Sequence, residues 1–302
     1  MFPTGPYLII GWVILTTGDH IIEAIGMTRF IIRDGKVLET GEPKVHTCPL
    51  AKRFASPVDP ITREAAAANI SARIRRFGMC TKDRQVLDEE TFVLFGASEL
   101  MNTGLRTGTL EAAVIACDGA GTVIVRSPEM VQGIGGRMSG LVVTTPYPEV
   151  IARIEDAGGI VVNPDTGAMD ALAGLAKAQE MGWTNVAVTI IGSQPELAEE
   201  IRARYPKALI IVVHTSSVTS LENALRLAKV ADLIFSCASK YMREAAASMA
   251  LVQGGIGVPV FATSKAGKIL IMERLVETDQ PILVKNTRLP VSDMGSIPEP
   301  LV

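Results

Sequence analysis

Aromatic residues are scarce in this chain: they make up 5% of its 302 residues, with Trp occurring only twice. A core must therefore be built from Ile, Val, Leu, Ala and Met. That composition suits layered α/β proteins, whose parallel strands are buried on both faces. An excess of one charge is also missing. The 29 basic residues are set against 32 acidic ones, for a net charge of −3. No basic stretch or aromatic platform marks a nucleic-acid-binding surface. Long apolar runs are absent too. The apolar part of the amino terminus, Tyr7 to Leu15, falls far short of the roughly twenty residues that span a bilayer. It has no positive n-region and no clear cleavage site, which argues against a signal peptide. The expectation is a cytoplasmic protein that binds neither nucleic acid nor membrane. Residues 1–15 read as an extension, an added edge strand or an early start, with ordered structure from about Asp19.

Several catalytic signatures are missing as well. No Gly-Lys-Ser/Thr follows either glycine-rich loop, so neither is a P-loop. No G-x-G-x-x-G sits at a strand-to-helix turn. No G-x-S-x-G elbow is present for a Ser-His-Asp hydrolase.

What is there is a strong alternation. Apolar segments around Asp34-Gly35 predict a hairpin in a small β-rich amino-terminal unit. Thr62 and Gly78 bracket a predicted helix over Arg63–Phe77. A helix near Glu89–Arg106 leads to the strand Ala112–Cys117 and the apolar run Thr122–Val125. The stretch SPEMVQGIGGRMSG reads as a loop before the strand Leu141–Thr145. Apolar strands then alternate with helices to Val258–Thr263, and the Pro-rich segment after Asn286 reads as loop. Such alternation implies βαβ units. The predicted fold is a three-layer α/β protein with a mostly parallel, Rossmann-like sheet. Residues 1–60 are taken as the extension and β unit and 61–302 as the α/β domain, with a further division near residue 145 left open.

In open α/β sheets ligands bind outside the carboxyl ends of the strands. Cys117, Cys237 and His214 all fall at predicted strand ends. Cys48 and Cys80 lie in loops, Cys48 directly before Pro49. Four cysteines match the ligand count of an iron–sulfur cluster or a structural zinc, but there is no C-x-x-C pair. Free cysteines also serve as small buried hydrophobes. Asp118, Gly119, Gly121 and Thr122 form one candidate anion cradle. Gly133, Gly135, Gly136 and Arg137 form another, with Arg137 as a phosphate or carboxylate fork. The glycines equally suit tight turns. His214 could act as acid or base, or be a hydrogen-bonded strand-end residue.

The strings GDHIIEAIGMTRFIIRDGKVLETGEP, HTCPL, RIRRFGMCT, AAVIACDGAGTVIV, MVQGIGGRMSGLVVTTP and DLIFSCASKYMREAA together resemble methanogenesis marker protein 8. The likeness runs from about Gly18 to Glu277. The resemblance implies an archaeal, anaerobic protein that assists methyl-coenzyme M reductase or its assembly factors. It carries over the segments holding Cys48, Cys80, Cys117 and Cys237, and an anaerobic home suits an iron–sulfur cluster ahead of zinc. Two alternatives stand beside that reading. One is a module or enzyme for a small anionic ligand, using the glycine-rich loops without metal. The other is a scaffold with no site. A homo-oligomer is compatible with each.

Overall fold

The protein is represented by a computed structural model that describes residues 9–10, 13–14, 18–53, 56–138 and 140–291. Strands β1 (Ile9–Ile10) and β2 (Val13–Ile14) pair antiparallel. The rest of the expected amino-terminal extension lies outside the described residues. The β-rich unit follows as β3 (Asp19–Ala24), β4 (Thr28–Arg33) and β5 (Lys36–Thr40). The apolar segment His20–Ile32 is thus two strands, folded back where Gly26 takes φ 69°. Between β4 and β5, Asp34 and Gly35 both have positive φ, 50° and 71°, as a tight type I′ hairpin turn requires.

Helix α1 (Arg63–Phe77) has the predicted ends. Thr62 Oγ1 accepts the Ala65 N–H at 3.1 Å, and Gly78 closes the helix in the left-handed region. Helix α2 (Ala97–Thr107) starts later than expected. Thr91 to Phe95 is a run of β-branched and aromatic residues with one Leu, poor helix formers on balance, and Gly96 caps the helix instead. Strands β6 (Ala112–Cys117) and β7 (Gly121–Val125) form a hairpin. Helix α3 (Pro128–Gly135) occupies much of the stretch read as a loop. Ser127 caps it and Pro128 takes the first helical position, a start signal that the glycines masked.

Then come β8 (Gly140–Val143), α4 (Pro148–Asp156), β9 (Ile160–Val161), α5 (Ala171–Glu180), β10 (Val186–Ile191) and α6 (Pro195–Arg204). They are followed by β11 (Leu209–Val213), α7 (Leu221–Val230), β12 (Leu233–Phe235), α8 (Lys240–Met249), β13 (Val252–Gly254), β14 (Val260–Ala262) and α9 (Lys265–Glu277). The Pro-rich segment carries no helix or strand as far as Val291, and the remainder lies outside the described residues.

The larger sheet has the order β13-β14-β12-β11-β10-β6-β7-β9. Its centre, β6, β10, β11 and β12, is parallel, and the flanking strands are antiparallel. The sheet is therefore mixed. The connection from β6 to β7 is only Asp118–Ala120, too short for a parallel crossover. Helices cover both faces. Ala113, Ile115, Leu209 and Ile211 pack with Leu100, Met130, Val150 and Leu270 from α2, α3, α4 and α9. Val114, Val188, Ile210 and Val212 pack with Leu175, Ile201, Leu227 and Met242 from α5 to α8. The smaller sheet, β5-β4-β3-β8, is antiparallel. Ile22, Phe30, Ile32 and Leu141 of this sheet bury Ala66, Ile70 and Ile74 of α1. Strand β8 comes from more than a hundred residues downstream of β3, to which it pairs through Ile22 and Leu141. That long-range pairing brings α1 over the carboxyl ends of the parallel strands.

Candidate functional site

A cleft of about 950 Å³ opens at those strand ends, within the size range of small-ligand pockets. Ile191, Val213, His214 and Cys237 line it from the parallel strands and the residues just beyond them. Asn69, Ala72, Arg73 and Arg76 line it from α1. Their spacing puts them on one face of the helix. Phe92, Phe95 and Glu99 form a third wall.

The cationic corner is built from two arginines. Arg137 is 3% exposed. Its Nε donates to Asp88 Oδ2 at 2.9 Å, and its Nη2 donates to the same oxygen and to the Glu90 carbonyl oxygen, so the Asp88 carboxylate balances its charge. Its guanidinium lies 4.7 Å from the Phe77 ring centre and 3.9 Å from that of Phe92. Its Nη1 is buried and has no hydrogen-bond acceptor. Arg73, half-buried, donates through Nη2 to the Arg137 carbonyl oxygen. Burial, then the charge of Arg84, with Arg137 adding to it, draw the Arg73 guanidinium down to about 10. An anion placed here relieves that repulsion and supplies the acceptor that Nη1 lacks.

His214 stands at the same corner with its backbone in the left-handed region, φ 52° and ψ 42°. Burial, with Arg73 adding to it, lowers its imidazole to about 4. It is neutral at physiological pH, with one ring nitrogen free to accept and the other to donate. Glu99 is 3% exposed. Its carboxylate accepts from the Ser98 hydroxyl at 2.8 Å, the Phe92 N–H at 3.3 Å and Gln132 Nε2 at 3.4 Å. The amino end of α2 adds a favourable field.

Of the residues singled out in the sequence, the structure gathers Thr122, Gly135, Gly136, Arg137, His214 and Cys237 along this cleft. Asp118, Gly119 and Gly121 lie apart from its lining. Asp118 is buried and accepts from Arg84 Nε at 2.8 Å and from the Cys80 N–H. The Gly119 N–H donates to Thr144 Oγ1 at 2.7 Å, just beyond β8, and the Ala120 N–H to the Cys117 carbonyl within the β6–β7 turn, so both amides are already engaged. His20 Nδ1 is hydrogen-bonded to the same Thr144 hydroxyl at 2.8 Å. Gly133 sits inside α3, where a Cβ would fall 2.4 Å from the Val86 carbonyl oxygen.

The four thiols sort into two places. Cys80 and Cys117 are fully buried beside Asp118. Burial raises the Cys80 thiol well above its ordinary range, Asp118 adds to this, and Cys117 contributes to the same rise. Cys48 and Cys237 are half-buried. Burial raises Cys237 as well, followed by the charge of Cys48. Among the described residues no group of three or more His, Cys, Asp and Glu could hold a metal ion. The donor set does not fit a four-cysteine cluster.

Asn69, Arg73 and Glu99 were not singled out in the sequence. A signal was present for one of them: an Asn in an Ala-rich helix is a costly choice for helix stability alone.

Fold and site together define a mixed α/β protein with an arginine-cornered cleft at its parallel strand ends. The chain belongs to the family described as "Uncharacterized protein conserved in archaea" (DUF2099), whose profile matches residues 20–276. A relative from Methanocaldococcus jannaschii, described as an uncharacterized protein, is 36% identical over 283 residues, covering 94% of this chain and 99% of the relative. Among the described residues no helix is long and apolar enough to cross a membrane.

Proposed function

We propose that the cleft binds a small organic anion, with Arg73 supplying the charge, Arg137 donating through Nη1 beside its ion pair with Asp88, and neutral His214 completing the corner. The observation that carries this reading is the buried Arg137 Nη1 without an acceptor, in a residue that lines the cleft beside Arg73. An unmet buried donor costs roughly 1–3 kcal/mol, which a bound carboxylate or phosphate recovers. The apolar remainder of the lining, including Phe92, Phe95, Val213 and Phe235, suits a ligand with a hydrocarbon body.

The setting we propose is methanogenesis, as an accessory protein for methyl-coenzyme M reductase. Its support is the likeness of the strings around Cys48, Cys80, Cys117 and Cys237 to methanogenesis marker protein 8. An iron–sulfur role has weaker footing, because the thiols divide two and two.

Titration calorimetry with succinate and with propyl phosphate tests the anion reading. The full chain is expected to bind one or both, and Arg73→Leu to lose about tenfold in affinity or more. Affinity unchanged in Arg73→Leu rejects it, as does failure of the wild-type protein to bind these two anions and their hydroxyl- and amine-bearing analogues.

A further inference from the structure

Asn69 is 2% exposed and lines the cleft from α1. Its Nδ2 donates to the Ser56 carbonyl oxygen at 2.9 Å. That bond fixes which end of the amide is nitrogen. Its Oδ1 is buried and has no hydrogen-bond partner. Buried polar atoms are nearly always paired, so an orphan needs a cause. Asn is also a weak helix former in an Ala-rich helix.

Position gives the cause. Asn69 and Arg73 are four residues apart on one helix, so their Cβ atoms stack roughly 5–6 Å from each other along the same face. Arg73 belongs to the cationic corner. One turn away, the same face offers a lone acceptor. The two unmatched atoms of the cleft are therefore of opposite kind: Arg137 Nη1 lacks an acceptor and Asn69 Oδ1 lacks a donor.

We propose that the ligand of this cleft carries a hydrogen-bond donor, a hydroxyl or an amine, in addition to its anionic group, and that Asn69 selects for it. This rests on the anion-binding reading and adds the ligand's second functional group. Hydroxy acids, amino acids and phosphate esters of polyols have this arrangement. Plain alkyl carboxylates and phosphates do not.

Matched ligands test it on the wild-type full chain. Malate, aspartate and succinate share one carbon skeleton and two carboxylates, and differ only in a hydroxyl, an ammonium or neither. Glycerol 3-phosphate and propyl phosphate make the parallel pair. The donor-bearing member is expected to bind at least about tenfold tighter by calorimetry, because a site built around a polar group rejects the analogue that lacks it. Malate against aspartate tells hydroxyl from amine. Asn69→Leu is expected to erase the preference. Asn69→Asp keeps an acceptor and is expected to keep the preference, with all anions bound more weakly. Equal binding of malate, aspartate and succinate to the wild-type chain overturns the donor inference and leaves the anion reading standing, as when only water meets Oδ1. Failure of every one of these anions to bind overturns both.

Discussion

Arg84 Nε donates to Asp118 Oδ1 at 2.8 Å, and neither side chain has any solvent exposure. The remaining Arg84 donors reach the carbonyl oxygens of Gln85, Gly133 and Ile134. The pair thus ties the chain after α1 to the β6–β7 turn and to α3. Removing one partner leaves an uncompensated buried charge. Asp118→Ala is expected to lose about 3–5 kcal/mol of stability in urea unfolding, and an unchanged midpoint rejects this account. Burial raises the Asp118 carboxyl, but the Arg84 charge and hydrogen bond with the Cys80 N–H outweigh it, so the net shift is downward. The stabilisation is therefore complete above the unfolded carboxylate value of about 3.9. It is lost as pH falls below that value through the lower folded one.

His214 sets a second pH dependence. Its folded value is about 4 against about 6.5 in the unfolded chain. Between the two, the unfolded state binds a proton that the fold excludes. Stability from this group is full above about 6.5 and declines as pH falls towards 4. His20, lowered chiefly by burial against the pull of Asp118, acts in the same direction. His214→Asn tolerates the left-handed backbone and should flatten the slope of melting temperature against pH in this window. An identical slope would remove His214 as its source.

Gly133→Ala should destabilise despite its better helix propensity. The added Cβ would lie 2.4 Å from the Val86 carbonyl oxygen and 2.7 Å from the Leu87 carbonyl carbon, and backbone yields poorly. A loss of about 2–3 kcal/mol is expected by chemical denaturation. A variant more stable than the parent would show that α3 does not pack against residues 86–87.

Thiol reactivity should divide the cysteines two and two. Cys80 and Cys117 are 0% exposed, and burial raises both thiols. Ellman's reagent is expected to reach Cys48 and Cys237 first, and Cys80 and Cys117 only on unfolding. With no three-ligand group among the described residues, treatment with a chelator should leave the melting temperature unchanged. A brown protein that loses stability on chelation would restore the cluster.

Much of the local structure was readable along the chain. The cap at Thr62, the left-handed Gly78 and the Asp34-Gly35 turn are short-range signals, and each names its own backbone geometry. The apolar strands β10 and β11 were equally plain, because burial on both faces leaves near-continuous aliphatic runs. The exception is a stretch where two local signals compete. At 127–136 the glycines suggested a loop while Ser127-Pro128 announced a helix, and packing against residues 86–87 favoured the helix.

The sequence by itself determined most of the elements, the layered α/β class and the placement of His214 and Cys237 at strand ends, since those depend on neighbours a few residues away. Only the tertiary structure decided that β8 would pair with β3 and set α1 over the parallel strands. That placement left Arg137 Nη1 and Asn69 Oδ1 unmatched within one cleft. Whether a buried polar atom finds a partner depends on residues brought together from distant parts of the chain, and no local pattern encodes it.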